Sequence, residues 1–201
     1  ATNANGTSTA SSATSSVTPS AVVYNGSYES IATTTVGSGG QATITFSSIP
    51  STYAHLQIRG IAKGLGTNNA SLGIQVNGAS DSNQSPFHQL YGDGATVSSA
   101  SGVSGDGYTA SLTGPIASTT TANVHASFVI DILDYANTSK LKTIRSLSGA
   151  DFNGSGFITL RSTFNKNIQS AITSLTLMTY NPGGTNGFAQ YSSIALYGVM
   201  A

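Results

Sequence analysis

The three histidines are the residues best suited to bind a metal or move a proton near neutral pH, and they lie far apart in the chain. His55, His88 and His125 fall in three separate segments, without the His-x-x-x-His or Glu-containing spacing of a zinc site. His55 and His125 also lie on the polar side of alternating segments. The pattern predicts solvated or hydrogen-bonded surface histidines, with a ligand role as the alternative.

Hydrolysis of a glycosidic bond needs two carboxyl groups that flank one bond, and the aspartates offer no convincing pair. Asp131 and Asp134 are an odd number of residues apart, so in a strand they would face opposite sides. Asp134 fits better as the first residue of a turn, and Asp151 has no evident partner. No Gly-x-Ser-x-Gly motif marks a nucleophile. The sequence predicts a protein that is not an enzyme, with no catalytic, cofactor-binding or metal-binding residues and no cofactor.

Three weaker patterns have ordinary structural explanations. Asp93 and Asp106 could contribute to a calcium site, but nothing approaches an EF-hand spacing. Lys140, Lys142 and Arg145 form a local basic cluster, which we interpret as a rim of ion pairs with a neighbouring subunit in preference to a phosphate site. The glycosylation pattern occurs at Asn69, Asn137 and Asn153, where composition alone explains it.

The chain carries very little charge. Lys and Arg number 7, Asp and Glu number 7, and charged residues make up 7% of the 201 residues, against about 25% in typical proteins. Because a neutral surface does not attract phosphates or anionic lipids, we expect neither nucleic acid nor a membrane among the partners. There is no cysteine, so neither disulfides nor thiolate metal sites can form. Because there is no secretory signal pattern and no apolar stretch of membrane-spanning length, we expect a soluble protein that is made in the cytoplasm.

The elements that position these residues are predicted to be strands. From residue 30 onward, short runs alternate between apolar and polar residues and are rich in Ile, Val, Thr, Tyr and Phe. No segment has the apolar spacing of a helix. Strands are predicted at Ile31–Val36, Gln41–Phe46, Tyr53–Ala62, Ser71–Asn77, Phe87–Tyr91, Val124–Leu133, Leu141–Leu147, Phe157–Phe164, Ala171–Met178 and Gln190–Val199.

Turn signals separate these runs and indicate the fold class. The dipeptides Asn77-Gly78, Asp93-Gly94, Asp106-Gly107, Asn153-Gly154 and Asn186-Gly187 tolerate the backbone angles of hairpin turns. Residues 92–121 lack clear alternation and are predicted to be a long surface excursion. Residues 1–23 form a Ser/Thr/Ala-rich arm that could order on a partner. We predict an all-β, jelly-roll-like β-sandwich over residues 24–201, preceded by an extended N-terminal arm.

Four stretches, which together cover roughly a third of the chain, carry a resemblance to known proteins: Tyr28–Phe46, Ile49–Ile61, Val129–Asp151 and Phe188–Val199. They resemble β-rich structural proteins of bacteriophage particles, of the capsid decoration or tail-fibre kind, from phages of aquatic bacteria. The resemblance implies a trimer-forming or lattice-forming β-domain on the particle surface of a phage made in its bacterial host, and it implies no catalytic residues. Longer members of this group carry a stalk before the domain, where this chain has only the short arm.

These observations support three hypotheses of different classes. The leading one is a capsid decoration or cement protein on the virion surface, a homotrimer that contacts the major capsid protein and copies of itself. The second is a tail-fibre or receptor-binding tip whose nine tyrosines contact host glycans. The third, a secreted glycan-active enzyme, has the least support because no acid–base pair can be placed and tryptophan is absent.

Overall fold

A computed structural model gives the fold of the chain. It describes residues 2–3, 6–7, 26–67, 70–79, 85–104, 110–116, 122–152, 154–181 and 184–200. In this part of the chain the structure contains strands and no helix, and therefore no helix that could cross a membrane. The prediction of an all-β protein is confirmed.

The described residues form fourteen strands. Each of the ten predicted strands overlaps one of them, because alternation of apolar and polar residues matches the two faces of a sheet. The bounds are β1 Thr2–Asn3, β2 Gly6–Thr7, β3 Tyr28–Thr35, β4 Thr43–Phe46, β5 His55–Ala62, β6 Ala70–Val76, β7 Ser85–Gly92, β8 Val97–Ser104, β9 Ala110–Ile116, β10 Ala126–Ile132, β11 Thr143–Asp151, β12 Gly156–Phe164, β13 Leu175–Tyr180 and β14 Ser193–Val199.

Two antiparallel sheets pack face to face as a sandwich. The large sheet has eight strands in the order β3-β14-β5-β10-β11-β12-β7-β8, and the small sheet has four in the order β4-β13-β6-β9. Apolar side chains from both sheets fill the space between them. The core includes Ile44, Leu56, Ile58, Leu72, Ile74, Ile130, Ile132, Leu177, Phe188, Ile194 and Leu196.

The chain crosses repeatedly between the two sheets. β3, β4, β5 and β6 alternate between the large and the small sheet, and so do β9, β10, β13 and β14. Two hairpins, β7–β8 and β11–β12, interrupt this alternation and both lie in the large sheet. They lie side by side next to β10, so they extend one end of the large sheet by four strands.

The prediction of a surface excursion at residues 92–121 is wrong for most of its length. β8 and β9 both lie in this stretch, and they join different sheets. β8 pairs with β7 at the edge of the large sheet, whereas β9 pairs with β6 and packs against β11 and β12. Small polar residues dominate β8, so its sequence lacks the alternation by which strands are recognised.

The turn dipeptides divide into true hairpins and connections between sheets. Asp93-Gly94 joins β7 to β8, and residues 152–155 join β11 to β12, as predicted. Asn77-Gly78 has positive φ angles of 52° and 72°, but the chain then leaves the small sheet for the large one, so it does not close a hairpin. Asn186-Gly187 likewise lies between strands of different sheets. Asp106-Gly107 and Asn153 lie outside the described residues.

Most of the predicted N-terminal arm, residues 1–23, lies outside the described residues. Its described part is a short antiparallel pair, in which Thr2 faces Thr7 and Asn3 faces Gly6. In the last strand, Gly198 of β14 packs directly against the ring of Tyr53. A Cβ atom at Gly198 would overlap that ring, so the position favours glycine.

Candidate functional site

The histidines occupy the positions that the sequence predicts, and each has an ordinary environment. His88 is exposed on β7, and His125 Nε2 lies 3.3 Å from the carbonyl oxygen of Gln190. His55 Nδ1 accepts a hydrogen bond of 3.0 Å from the backbone amide of Asp134. In the part of the chain that the structure describes, no three His, Asp or Glu side chains meet in a possible metal site.

The aspartates are engaged in structural contacts. Asp131 accepts hydrogen bonds from Gln57 Nε2 at 2.7 Å and from Arg145 at 3.1 Å. Asp134 opens a turn, as predicted, because its carbonyl oxygen accepts a bond from the Asn137 amide. It lies just beyond the end of β10, so the expectation that it faces the opposite side of a strand does not apply.

The loop aspartates are explained in the same way. Asp93 Oδ1 accepts bonds from the amides of Ala95 and Thr96, at 3.0 and 2.7 Å, which caps the β7–β8 turn. These bonds lower the pKa of the Asp93 carboxyl. Its proposed calcium partner Asp106 lies outside the described residues, and so do two of the three glycosylation patterns, at Asn69 and Asn153.

The predicted basic cluster does not form one exposed patch. Lys140 pairs with Asp134, and the bond and charge of Lys140 lower the pKa of that carboxyl. Arg145 pairs with Asp131. Lys142 is buried, its ammonium donates to the backbone carbonyls of Asn137 and Lys140, and desolvation lowers its pKa. Since Lys142 is buried and the other two pair within the chain, the prediction of a rim of ion pairs with a neighbour is not supported.

The outer face of the large sheet brings together surface residues that are far apart in sequence. One cross-strand row runs Tyr197, Gln57, Asp131, Arg145, Ser162, His88 and Ser101. The next row runs Ala195, Arg59, Val129, Leu147, Leu160, Leu90 and Ser99. Beyond β10 the first row stays polar, whereas the second row has three consecutive leucines, so the two halves of the face differ in chemistry along the second row.

The half over β3, β14, β5 and β10 is polar and contains an aromatic cluster. The guanidinium of Arg59 lies 4.8 Å from the ring centre of Tyr28 and 5.6 Å from that of Tyr197. Arg59 Nε also donates to Gln57, which donates to Asp131. We call Tyr28, Gln57, Arg59, Asp131 and Tyr197 the tyrosine–arginine cluster. Tyrosine, amide and carboxylate groups of this kind can contact sugars through ring faces and hydroxyl hydrogen bonds.

The half over β11, β12, β7 and β8 has several exposed apolar side chains. They include Leu90 at 52%, Val97 at 83% and Ile158 at 57% exposure. A polar row, which consists of Arg145, Ser162, His88 and Ser101, crosses this half. We define the apolar face as the seven exposed apolar residues Leu90, Val97, Val103, Leu147, Ile158, Leu160 and Phe164.

Two depressions adjoin the apolar face. The larger, of about 590 Å³, is lined by Val129, Leu147, Gly149 and Ile158, with Asp93 and Asp151 among the other lining residues. Gly149 and Gly92 flank Ile158 in one cross-strand row, so missing side chains leave space on either side of it. The smaller depression, of about 390 Å³, lies between β12, β7 and β8. The sequence did not indicate either, because both depend on the order of strands in the sheet.

Comparison of the chain with family models, with curated proteins and with solved structures gave no match. The resemblance to virion proteins therefore remains a prediction.

Proposed function

We propose that this chain is a non-enzymatic structural protein of a bacteriophage virion, and specifically a capsid decoration or cement protein. In this role it binds the major capsid protein and copies of itself at the capsid surface, and it stabilises the lattice. The observation that carries the proposal is the apolar face. Its five neighbouring residues Leu90, Val97, Leu147, Ile158 and Leu160 form an exposed apolar patch, and exposed apolar patches are typical of sites of contact with other proteins.

The strand order supports this role. We infer that β3-β14-β5-β10 and β4-β13-β6-β9 are the two four-stranded sheets of a jelly roll, with the hairpins β7–β8 and β11–β12 as insertions. The jelly roll is a common architecture of viral capsid and lectin domains. The fold by itself does not specify a function, so it adds weight only together with the surface.

The surface chemistry suits a protein packed at high copy number. With 7 basic and 7 acidic residues, neighbouring copies would not repel each other through long-range fields. Hydroxyl and amide groups keep the remaining surface hydrated. The arm of residues 1–23 could span up to about 75 Å if fully extended, which is enough to reach a neighbouring subunit. There it could add backbone hydrogen bonds to an exposed sheet edge.

Copy number in purified particles tests the proposal. Quantitative gel analysis, with the major capsid protein as internal standard, should show on the order of hundreds of copies per particle, since a cement protein follows the lattice of a closed symmetric shell. A count in the low tens would exclude a cement protein and favour a tail component.

The tyrosine–arginine cluster favours a second candidate, a tail-fibre or receptor-binding tip that recognises host glycans. Under this hypothesis isolated protein should bind host cells and block infection. Replacing Tyr28 and Tyr197 with alanine should abolish both effects, while Thr33→Ala, an exposed change on the same sheet, should leave them intact. Failure of the wild-type protein in both assays would remove this candidate.

A further inference from the structure

Much of the hairpin β11–β12 places polar side chains inside and apolar side chains outside, although Ile144 and Phe157 pack into the core. On β12 the side chains that face the interior include Thr159, Arg161 and Thr163, whereas Ile158 and Leu160 face outward. β5 and β10 have the usual arrangement, with apolar residues such as Ile58 and Ile130 inside.

The centre of β11 shows the same feature. Ser146 and Ser148 are buried, and Leu147 between them is 46% exposed. Ile144 on β11 and Phe157 on β12 belong to the core, and because side chains alternate along a strand, this register keeps Leu147, Ile158 and Leu160 on the outer face. These three apolar side chains therefore leave water only if another chain covers the outer face.

We propose that the apolar face is buried against other copies of this chain, as the main contact of a homo-oligomer. This deepens the proposed function, since it assigns the self-association of the virion protein to one surface. The residues in contact are Leu90, Leu147, Ile158 and Leu160 at the centre, with Val97, Val103 and Phe164 at the margin.

The area available is large enough for a stable contact. Seven partly exposed apolar side chains provide on the order of 600 Å², taking roughly 90 Å² for each. A standard protein interface buries about 800 Å² on each partner, with an apolar centre and a polar rim. The serines of β7, β8 and β12 around the apolar face supply such a rim.

The charge distribution favours a copy of the same chain as the partner. Identical faces that meet around a symmetry axis bring like charges together, so a face with one sign of charge would repel itself. On the outward side of β11, β12, β7 and β8, the charged residue nearest the centre of the apolar face is Arg145, which is paired with Asp131, and the carboxylates of Asp93 and Asp151 lie by the larger depression. The depressions beside Ile158 and Leu90 give protruding side chains of a second copy space to enter.

Sedimentation and light scattering of the purified chain test this assignment. The wild type should show a mass of at least two chains of 20.3 kDa at micromolar concentration. Leu160→Lys should weaken association at least about tenfold, because each copy would bury an unpaired ammonium. Thr33→Lys adds the same charge to an exposed outward position near the opposite edge of the same sheet and should associate as the wild type does.

A second measurement does not depend on a disruptive variant. The chain has no cysteine, so Leu90→Cys and Thr33→Cys each introduce one unique thiol. At concentrations where the oligomer forms, the thiol at position 90 should react with a bulky maleimide at least about tenfold more slowly than the thiol at position 33. Dilution should remove the difference, because both positions are exposed in the monomer.

Three outcomes would overturn the assignment: a wild-type mass of one chain, equal association of Leu160→Lys and the wild type, or equal thiol reactivity at high concentration. These outcomes are distinct from failure of the proposed function, which is decided by copy number on particles. A protein that is abundant on capsids yet monomeric in solution would refute this contact and leave the capsid role in place.

Discussion

Asn77 provides a direct test of how the small sheet is held together. Its backbone has a φ of 52° at the end of β6, and its side chain reaches the segment that leads into β13. Oδ1 accepts bonds from the amides of Thr173 and Ser174 at 2.9 and 3.2 Å, and Nδ2 donates to the carbonyl of Ala171 at 2.8 Å. One side chain thus contributes both a turn conformation and a set of long-range hydrogen bonds.

Three substitutions separate these two contributions. Asn77→Asp keeps the acceptor and tolerates positive φ but loses the donor, so it should lower the free energy of unfolding by about 1 kcal/mol. Asn77→Gly keeps the backbone angle but loses every side-chain hydrogen bond. Because water replaces part of these bonds at this exposed site, the free energy of unfolding should fall by about 2 kcal/mol. Asn77→Ala adds the cost of a left-handed conformation, for a loss of about 3 kcal/mol.

Urea denaturation followed by circular dichroism measures these differences. Asn123→Ala is a matched control, because Asn123 is exposed with a φ of 61° and, among the described residues, its side chain has no hydrogen bond. It should lose about 1 kcal/mol from the backbone alone. Equal stability of Asn77→Gly and the wild type would refute the role of the side-chain bonds. Equal stability of the glycine and alanine variants would refute the role of the backbone angle.

Three further predictions concern packing, pH and the arm. Gly198→Ala should lower the free energy of unfolding by about 1–3 kcal/mol, because the new Cβ atom would overlap the ring of Tyr53. Gly37→Ala is the control: its Cβ atom would point into open space, so the free energy of unfolding should change by less than about 0.5 kcal/mol. The bond to Lys140 holds the folded-state pKa of Asp134 below the ordinary 3.8. The ionised Asp134 side chain therefore contributes stability above pH 3.8, and this contribution is lost as the pH falls through the folded-state pKa. The difference in melting temperature between the wild type and Asp134→Asn should therefore shrink in acid, and a difference that grows would contradict the ion pair. Deletion of residues 1–23 should leave the melting temperature of the isolated domain unchanged and reduce occupancy on capsids, and unchanged occupancy would show that the arm is not a tether.

Alternation along the strands was enough to predict most of the sandwich. β5 and β10 have regular apolar residues on one side and lie in the middle of the large sheet, so their sequence pattern reflects one buried and one exposed face. The sequence does not indicate β8, because Val97–Ser104 is an edge strand of mostly small residues. Its pairing depends on backbone hydrogen bonds to β7. Local propensity contains little information about such a strand.

The candidate surface could not be predicted from the sequence because it depends on strand order. Leu90 and Leu147 are adjacent to Leu160 only because β7 and β11 both pair with β12, and β7 reaches that position from a different part of the chain. The alternation in β12 indicates one apolar side, and the packing of the two sheets places Ile158 and Leu160 of that side on the outer face. Lys142 is a similar case, since its burial depends on the turn that brings the carbonyl of Asn137 to its ammonium.

Electron cryomicroscopy of purified particles shows both where the protein lies and which surface it uses. For a cement protein that self-associates through the apolar face, we expect density for the two-sheet domain repeated over the capsid lattice, with the apolar face of each copy turned towards another copy. Density confined to the tail, or particles without this domain, would contradict the assignment to the capsid, and lattice density with the apolar face open to solvent would contradict the contact between copies.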